Sequence, residues 1–451
     1  MKKNQASRRD FLKTSGVVTA AGVGLASGLG IARSAHAQGS DLIKVALVGC
    51  GGRGTGAAKQ RLNVGDNVKL VAMADAFEGR AKNFAALLKE EYKDKVDVGD
   101  NVFAGFDAYK KAIDLCDQVV IATPPGFRPE HYTYAVEKGK HVFMEKPLAT
   151  DAAGFRKLMA ANQVAKDKNL TVVVGLQRRH AFGYKEWVKR IHDGAIGDLS
   201  YTRVYWNNSG DIWFNQRQSN DTEMRYQMRN WYHFVWLCGD NIVEQHIHNL
   251  DVGNWVHSKG DVMCHPVKAY GMGGLASRHL IPGKQASEIY DHHAVEFVYA
   301  DGTRMFSQCR HNDPGNVWGA VDEHVHGSKG TGYNNGNGNP ARLSPNSGEG
   351  WRYQGENPDA FQQEHNDQVD AIRNGKPMHD GWYGAISSMI AVMGRMATYS
   401  GREITWDEVI EKGTSQFPYG KELTWDTDPP CMPQDGKYPV AVPGRYDPYA
   451  G

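Results

Sequence analysis

The chain has 451 residues, 41% of them hydrophobic and 23% charged, long enough for two or three domains with a well-buried core. Residues 1–37 hold six Lys or Arg and one Asp; without them 46 basic side chains face 50 acidic ones, a net charge of −4 with no basic tract, which argues against nucleic acid as a partner. Later hydrophobic runs are too short to cross a bilayer, and the six cysteines, at 50, 116, 238, 264, 309 and 431, show no CxxC spacing and read as small core residues.

The first element in chain order is a leader. Ser7-Arg8-Arg9-Asp10-Phe11-Leu12-Lys13 precedes an uncharged run from Thr14 to Ala32, and Ala35-His36-Ala37 supplies a small-x-small cleavage pattern. The segment resembles a twin-arginine (Tat) export signal. The expectation is a mature chain starting near Gln38, carried by the Tat machinery to the periplasm or beyond, with no stable membrane span after processing.

Residues 43–48 then read as a buried strand, 49–54 as a turn into a helix, and 68–74 as the next buried strand. Strands over 118–122, 141–144 and 171–175 alternate with helices over 129–138 and 152–166. This alternation predicts an α/β fold, a doubly wound parallel sheet of Rossmann type over residues 41–177. Past Arg179 the texture changes to longer strands, over 200–207 and 293–298, the latter turning at Asp301-Gly302 into another over 304–309. A second α+β domain over 178–424, with a largely antiparallel open sheet for substrate and self-association, is the expectation, with helices over 364–374 and 384–399. Residues 327–350, crowded with Gly, Asn, Ser and Pro, read as a loop, and 425–451 as a surface-hugging tail.

Gly49-Cys50-Gly51-Gly52-Arg53-Gly54 is a GxGxxG that follows a strand and opens a helix. Glycines there permit a tight turn and let backbone N–H groups approach a pyrophosphate at the positive end of the helix. Asp75 ends the second strand, placed to accept hydrogen bonds from both adenosine ribose hydroxyls and to repel a 2′-phosphate, so the expected cofactor is NAD. Glu145-Lys146-Pro147 ends another strand at the edge where ligands of doubly wound folds collect. A lysine there can hydrogen-bond a substrate hydroxyl and stabilise alkoxide character as a hydride leaves the same carbon.

Ala122-Thr123-Pro124-Pro125, His131, Gly139-Lys140-His141-Val142 and Met144-Glu145-Lys146-Pro147-Leu148-Ala149 together resemble the glucose-fructose oxidoreductase, inositol dehydrogenase and rhizopine catabolism (Gfo/Idh/MocA) family. The resemblance implies Thr123, Pro124, His131, Glu145 and Lys146 around the dinucleotide, beside the glycine loop with Arg53. It also implies a second motif, matched here by Glu244, His248 and Asp251, whose spacings of four and three would place all three on one helical face. The resemblance implies Lys146 and His248 as the acid/base pair, with Glu244, where the family usually has Asp, orienting or sharing the proton. Histidine suits that role because its unperturbed pKa is near 6.5. The resemblance further suggests Arg179, Tyr184 and Asp251 as substrate contacts, and Trp231 and Tyr232 would line a carbohydrate site through their faces. His246-x-His248 beside Glu244 is similar to a metal-ligand cluster, but helical positions two apart diverge, so no metal is expected.

Two functional readings follow. One is an exported NAD-dependent dehydrogenase of a sugar, cyclitol or related polyol, working as a homo-oligomer on a small carbohydrate-like substrate. The other keeps the same site but runs a redox-neutral cycle, an NAD-dependent glycosidase that oxidises, eliminates, hydrates and re-reduces.

Overall fold

Six short strands with buried, almost wholly apolar sequences form the first layer: β1 (Ile43–Val48), β2 (Val68–Asp75), β3 (Val102–Ala104), β4 (Gln118–Ile121), β5 (His141–Met144) and β6 (Val172–Val174). In this computed structural model, residues 42–208, 212–277, 287–311, 317–336 and 341–450 are described; the Tat-like leader lies outside them. The strand order is β3-β2-β1-β4-β5-β6, with every pair parallel. Parallel strands need crossovers, and the intervening helices α1 (Gly52–Leu62), α2 (Glu78–Tyr92), α3 (Ala108–Asp114), α4 (Arg128–Glu137) and α5 (Ala152–Asp167) supply them. The order reverses between β1 and β4, the switch point that opens a crevice at the carboxyl ends of the strands.

The chain continues through α6 (Phe182–His192), β7 (Leu199–Asn208), α7 (Glu223–Arg229), α8 (Val235–Cys238), α9 (Asn241–Glu244) and α10 (Ile247–Ser258). Then come β8 (Lys268–Gly274), β9 (His292–Val298), β10 (Arg304–His311), β11 (Ala320–Gly327), β12 (Gly330–Asn334), β13 (Arg342–Pro345) and β14 (Trp351–Arg352). The strands of this half, with β15 (Ile404–Thr405), form a nine-stranded sheet ordered β14-β13-β12-β11-β7-β10-β9-β8-β15. Its pairs are antiparallel except β7 with β10, among the described residues.

Two differences from the sequence reading have physical causes. The segment read as a loop contains β12 and β13, because glycine there serves packing and not flexibility. A Cβ on Gly330 would lie 2.7 Å from the Pro345 backbone, and one on Gly332 would lie 3.1 Å from the Trp187 ring. The division at Gln177 is also too simple. Helix α11 (Ala360–Arg373), from the later half, returns to pack on α1 and the parallel sheet. There Arg61 donates to the His365 carbonyl at 3.1 Å, while Gln118 and Gln368 bond at 3.0 Å. Next, α12 (Gly381–Ser400) is apolar on all sides and runs between the two layers; its Gly384 sits so close to Val174 and Leu148 that a Cβ would fall 3.0 to 3.1 Å from them. Leu42–Gly451 is accordingly one compact unit. The chain closes with α13 (Trp406–Lys412) and a long strap over 413–450. No helix among the described residues is long and apolar enough to cross a membrane. All six cysteines are free.

Candidate active site

The glycine turn is shaped for a close approach. Gly49 has φ +93°, a left-handed value, and a Cβ on Gly54 would fall 1.9 Å from the Gly49 carbonyl oxygen. Gly51 and Gly52 face open space at the amino end of α1, where backbone N–H groups point outward without partners of their own. Asp75 is fixed by the Cys50 and Phe77 backbone N–H groups, which donate to its two oxygens at 2.8 and 2.9 Å. Burial pushes the Asp75 carboxyl pKa up, against the opposing pull of Arg80 and those two N–H groups. Gly49, Gly51, Gly52, Gly54 and Asp75, with Thr123, Pro124 and His131, line a cleft of about 540 Å³, within the size range of small-ligand sites. His131 shares a hydrogen bond with Thr123 at 3.2 Å, and burial lowers its pKa to about 3, so it is neutral. An open cradle at the helix start with a fixed carboxylate beyond it fits a dinucleotide.

Arg53 and Glu145 are brought together, but with each other: the guanidinium ion-pairs with Glu145 and lies 3.4 Å from Glu364 of α11. Glu364 is wholly buried, and desolvation and the neighbouring Glu145 push its pKa far up. Nothing in the sequence pattern points to it, since it arrives from 311 positions away.

At the end of β5, Lys146 precedes a cis peptide to Pro147. Its ammonium donates to the Glu244 backbone carbonyl at 2.6 Å and to Glu244 Oε1 at 3.1 Å. That first bond explains a departure from the sequence reading. Glu244, His248 and Asp251 do not share one helix: α9 ends at Glu244 and α10 starts at Ile247. The His248 N–H reaches only to the Gln245 carbonyl, leaving the Glu244 carbonyl free to receive the lysine. The break still leaves Glu244 and His248 near Lys146. Burial raises the Glu244 pKa, opposed by Lys146 and by buried Arg128. Burial and the Lys146 charge hold His248 well below the usual histidine range, so it is neutral; its ring stacks on Trp206 at 5.8 Å. Glu244 Oε2 and His248 Nδ1 have no hydrogen-bond partner among the described residues.

His246 faces away, sharing a hydrogen bond with Ser307 at 2.8 Å. No group of three or more His, Cys, Asp or Glu converges on a metal position among the described residues.

The expected substrate contacts scatter. Arg179 and Asp251 pair with each other in a two-pronged bridge of 2.8 and 2.9 Å, and Ser387 also donates to Asp251 at 2.8 Å. Asp251 is 1% exposed, so its carboxylate is spent on holding Arg179. Tyr184 donates to buried Glu323 at 2.9 Å, beside Arg178, which ion-pairs with the same carboxylate. Trp231 faces the dinucleotide cleft together with Trp213, whereas Tyr232 turns into the core and is 2% exposed. Tyr184, Asp251 and Tyr232 are all buried, and Tyr184 and Asp251 are hydrogen-bonded within the protein.

Comparison with known proteins bears on this geometry. Residues 43–176, the span of the parallel sheet, match the Gfo/Idh/MocA family described as an oxidoreductase family with an NAD-binding Rossmann fold. This half of the chain is similar to that family's NAD-binding domain. Residues 5–26 match the twin-arginine translocation signal. The chain is 34% identical over 160 residues to inositol 2-dehydrogenase 1 of Saccharopolyspora erythraea, covering 35% of this chain and 43% of that one. It is 29% identical over 169 residues to scyllo-inositol 2-dehydrogenase (NAD(+)) of Bacillus subtilis, covering 37% and 45%. The matched segment thus spans less than half the length of these curated relatives. Over the fold, aldose-aldose oxidoreductase from Caulobacter crescentus superimposes with a TM-score of 0.61 at 18% identity, covering 81% of this chain and 99% of that one. That coverage takes in both halves, so the likeness of fold extends beyond the parallel sheet.

Proposed function

We propose that the protein is an exported NAD-dependent oxidoreductase that moves a hydride between nicotinamide and a secondary hydroxyl of a cyclitol, sugar or glycoside. The observation that carries this reading is Lys146, at the carboxyl edge of the NAD-binding sheet, held by Glu244 beside a neutral, unpartnered His248. NAD, when bound, supplies the hydride acceptor. Lys146 has three N–H donors and spends two on Glu244, which leaves one for a substrate oxygen. That contact strengthens as the oxygen gains negative charge, so it favours the transition state over the bound alcohol. Neutral His248 takes the hydroxyl proton as the carbon loses its hydride, and the product is a ketone. Glu244 keeps the ammonium in place and, with its second oxygen unpartnered, holds or passes the proton.

Inositol dehydrogenases among the relatives favour cyclitols as the first substrates to try. The export signal supports a second reading, the redox-neutral glycosidase, because a cycle that regenerates NAD in place needs none from outside. A homo-oligomeric assembly in the periplasm belongs to both readings, and sedimentation of the mature protein from a periplasmic extract tests it. The deciding experiment incubates folded protein with cyclitols, free sugars and glycosides while following bound-cofactor absorbance and released product. Accumulating reduced cofactor and ketone supports the dehydrogenase, aglycone release without net reduction supports the glycosidase, and neither signal with any compound refutes both.

A further inference from the structure

The wall of the dinucleotide cleft is not built by the Rossmann half alone. Phe77, Phe106 and Phe127 line it on that side, and Trp213, Asn215, Met228, Arg229 and Trp231 line it from the other half of the chain. These opposing residues lie on one cross-linked segment. Asn215 donates to the Arg229 carbonyl at 2.9 Å and receives the Asn230 amide on its own carbonyl at 3.0 Å, while Arg229 ion-pairs with buried Asp221.

The strap after α13 runs behind both sides. Its Gln416 and Phe417 N–H groups donate to Asp151 at 2.7 and 2.9 Å, and the Phe417 ring meets Phe127 edge-on at 4.8 Å. Trp425 then packs on Phe77 and on Phe106, both at 4.8 Å, with Arg225 lying over the Phe77 and Trp425 rings at 5.3 and 5.4 Å. The Trp425 carbonyl accepts from Thr222 at 2.5 Å, and farther on Tyr438 donates to Glu223. Phe77, Phe106 and Phe127 on the Rossmann side of the cleft are thus each backed by a ring of the strap, and the strap is tied to the segment that forms the opposite side.

We propose that this strap, through Trp425 and Phe417, fastens the two sides of the cleft together and makes the dinucleotide a resident group that stays with the protein, not a co-substrate that exchanges each turnover. The proposal rests on the functional reading above in taking NAD as the occupant. Opening the cleft means parting Phe77 and Phe106 from the segment over 213–231, and that breaks the Trp425 ring contacts and the Thr222 bond together. Aromatic contacts stabilise beyond their buried area, so the clasp slows release without a covalent bond. A resident cofactor also suits a protein that carries an export signal, since the leader at 5–26 directs the chain to where NAD is scarce.

The test uses mature, folded protein loaded with NAD, desalted repeatedly, and chased with isotopically labelled NAD; bound nucleotide is counted after acid release. The wild type should keep its NAD through desalting. Trp425→Ala should exchange about tenfold faster or more, and Trp425→Phe, which keeps a ring against Phe77 and Phe106, should stay close to wild type. If Trp425→Ala fails to fold by melting curve, Arg225→Gln, which removes the cation lying over both rings, decides the matter by the same acceleration. Loss of NAD from the wild type on desalting, or wild-type exchange in the folded variants, overturns the proposal. Failure of the oxidoreductase reading shows separately, as retained NAD whose absorbance never changes with any polyol.

Discussion

The dinucleotide cradle takes its parts from one turn-helix-strand segment, Gly49 to Asp75, whereas the proposed reaction centre gathers Lys146 from the parallel sheet and Glu244 and His248 from two helices about a hundred positions later. The cradle works mainly through backbone, at glycines whose missing Cβ atoms leave room. The second works through desolvated side chains that hold one another's charge, with Lys146 on Glu244, and outside it Arg179 is held by Asp251 in the same way. Damage to the first should therefore appear as weaker binding, and damage to the second as slow chemistry or lost stability.

The largest effect is expected at the centre. Lys146→Met should slow single-turnover hydride transfer by about two to four orders of magnitude, with NAD content unchanged. A variant that loses NAD in proportion to rate would erase the contrast between the two regions. Next comes Asp251→Ala, which strands Arg179 among Trp255 and Tyr383 without its carboxylate. Breaking such a buried pair costs about 3 to 5 kcal/mol, read as a lower unfolding midpoint with the cradle's NAD affinity little altered.

A pH effect sharpens the comparison. His180 lies between Asp367 at 2.7 Å and Asp380 at 3.4 Å, and these carboxylates raise its pKa from 6.5 to about 9 despite burial. A raised histidine pKa stabilises the fold fully below pH 6.5 and is lost as pH climbs through about 9. Unfolding free energy should fall by about 3 kcal/mol across that window, and His180→Gln should flatten the slope; an equal slope in the variant would remove His180 as the cause. The smallest effect is at the cradle. Asp75→Ala should weaken NAD binding by about 1.5 to 3 kcal/mol, the worth of hydrogen bonds to an ionised acceptor, and reduce discrimination against NADP in calorimetric titration. Unchanged affinity for both would exclude a ribose contact.

What could be read from the sequence follows the same division. The parallel sheet and glycine turn were legible because strand apolarity, the turn and Asp75 are all encoded within a few residues of one another. The two strands at Gly330–Asn334 and Arg342–Pro345 were not, because glycines that make room for Trp187 and Pro345 look like loop glycines until the partner is known. The helix break after Glu244 has no Pro or Gly to announce it; it exists because Lys146 claims a backbone carbonyl from the other half. Glu364 and Trp425 were invisible for the same reason, since each meets a cleft-lining residue, Arg53 or Phe77, only through the return of distant chain. Trp231 and Tyr232 are neighbours in sequence that face opposite ways, which composition alone gives no means to separate.

The central claim is that Lys146 and His248 act as one unit across the junction of the two halves. A double-mutant cycle of Lys146→Met and His248→Ala, with single-turnover reduction of bound NAD measured beside a melting curve for each protein, tests it most directly. Residues that act as a unit are strongly non-additive, so the double variant should be about as slow as the slower single variant. Losses that multiply in the double variant, or hydride transfer that falls only in step with unfolding, would contradict the account.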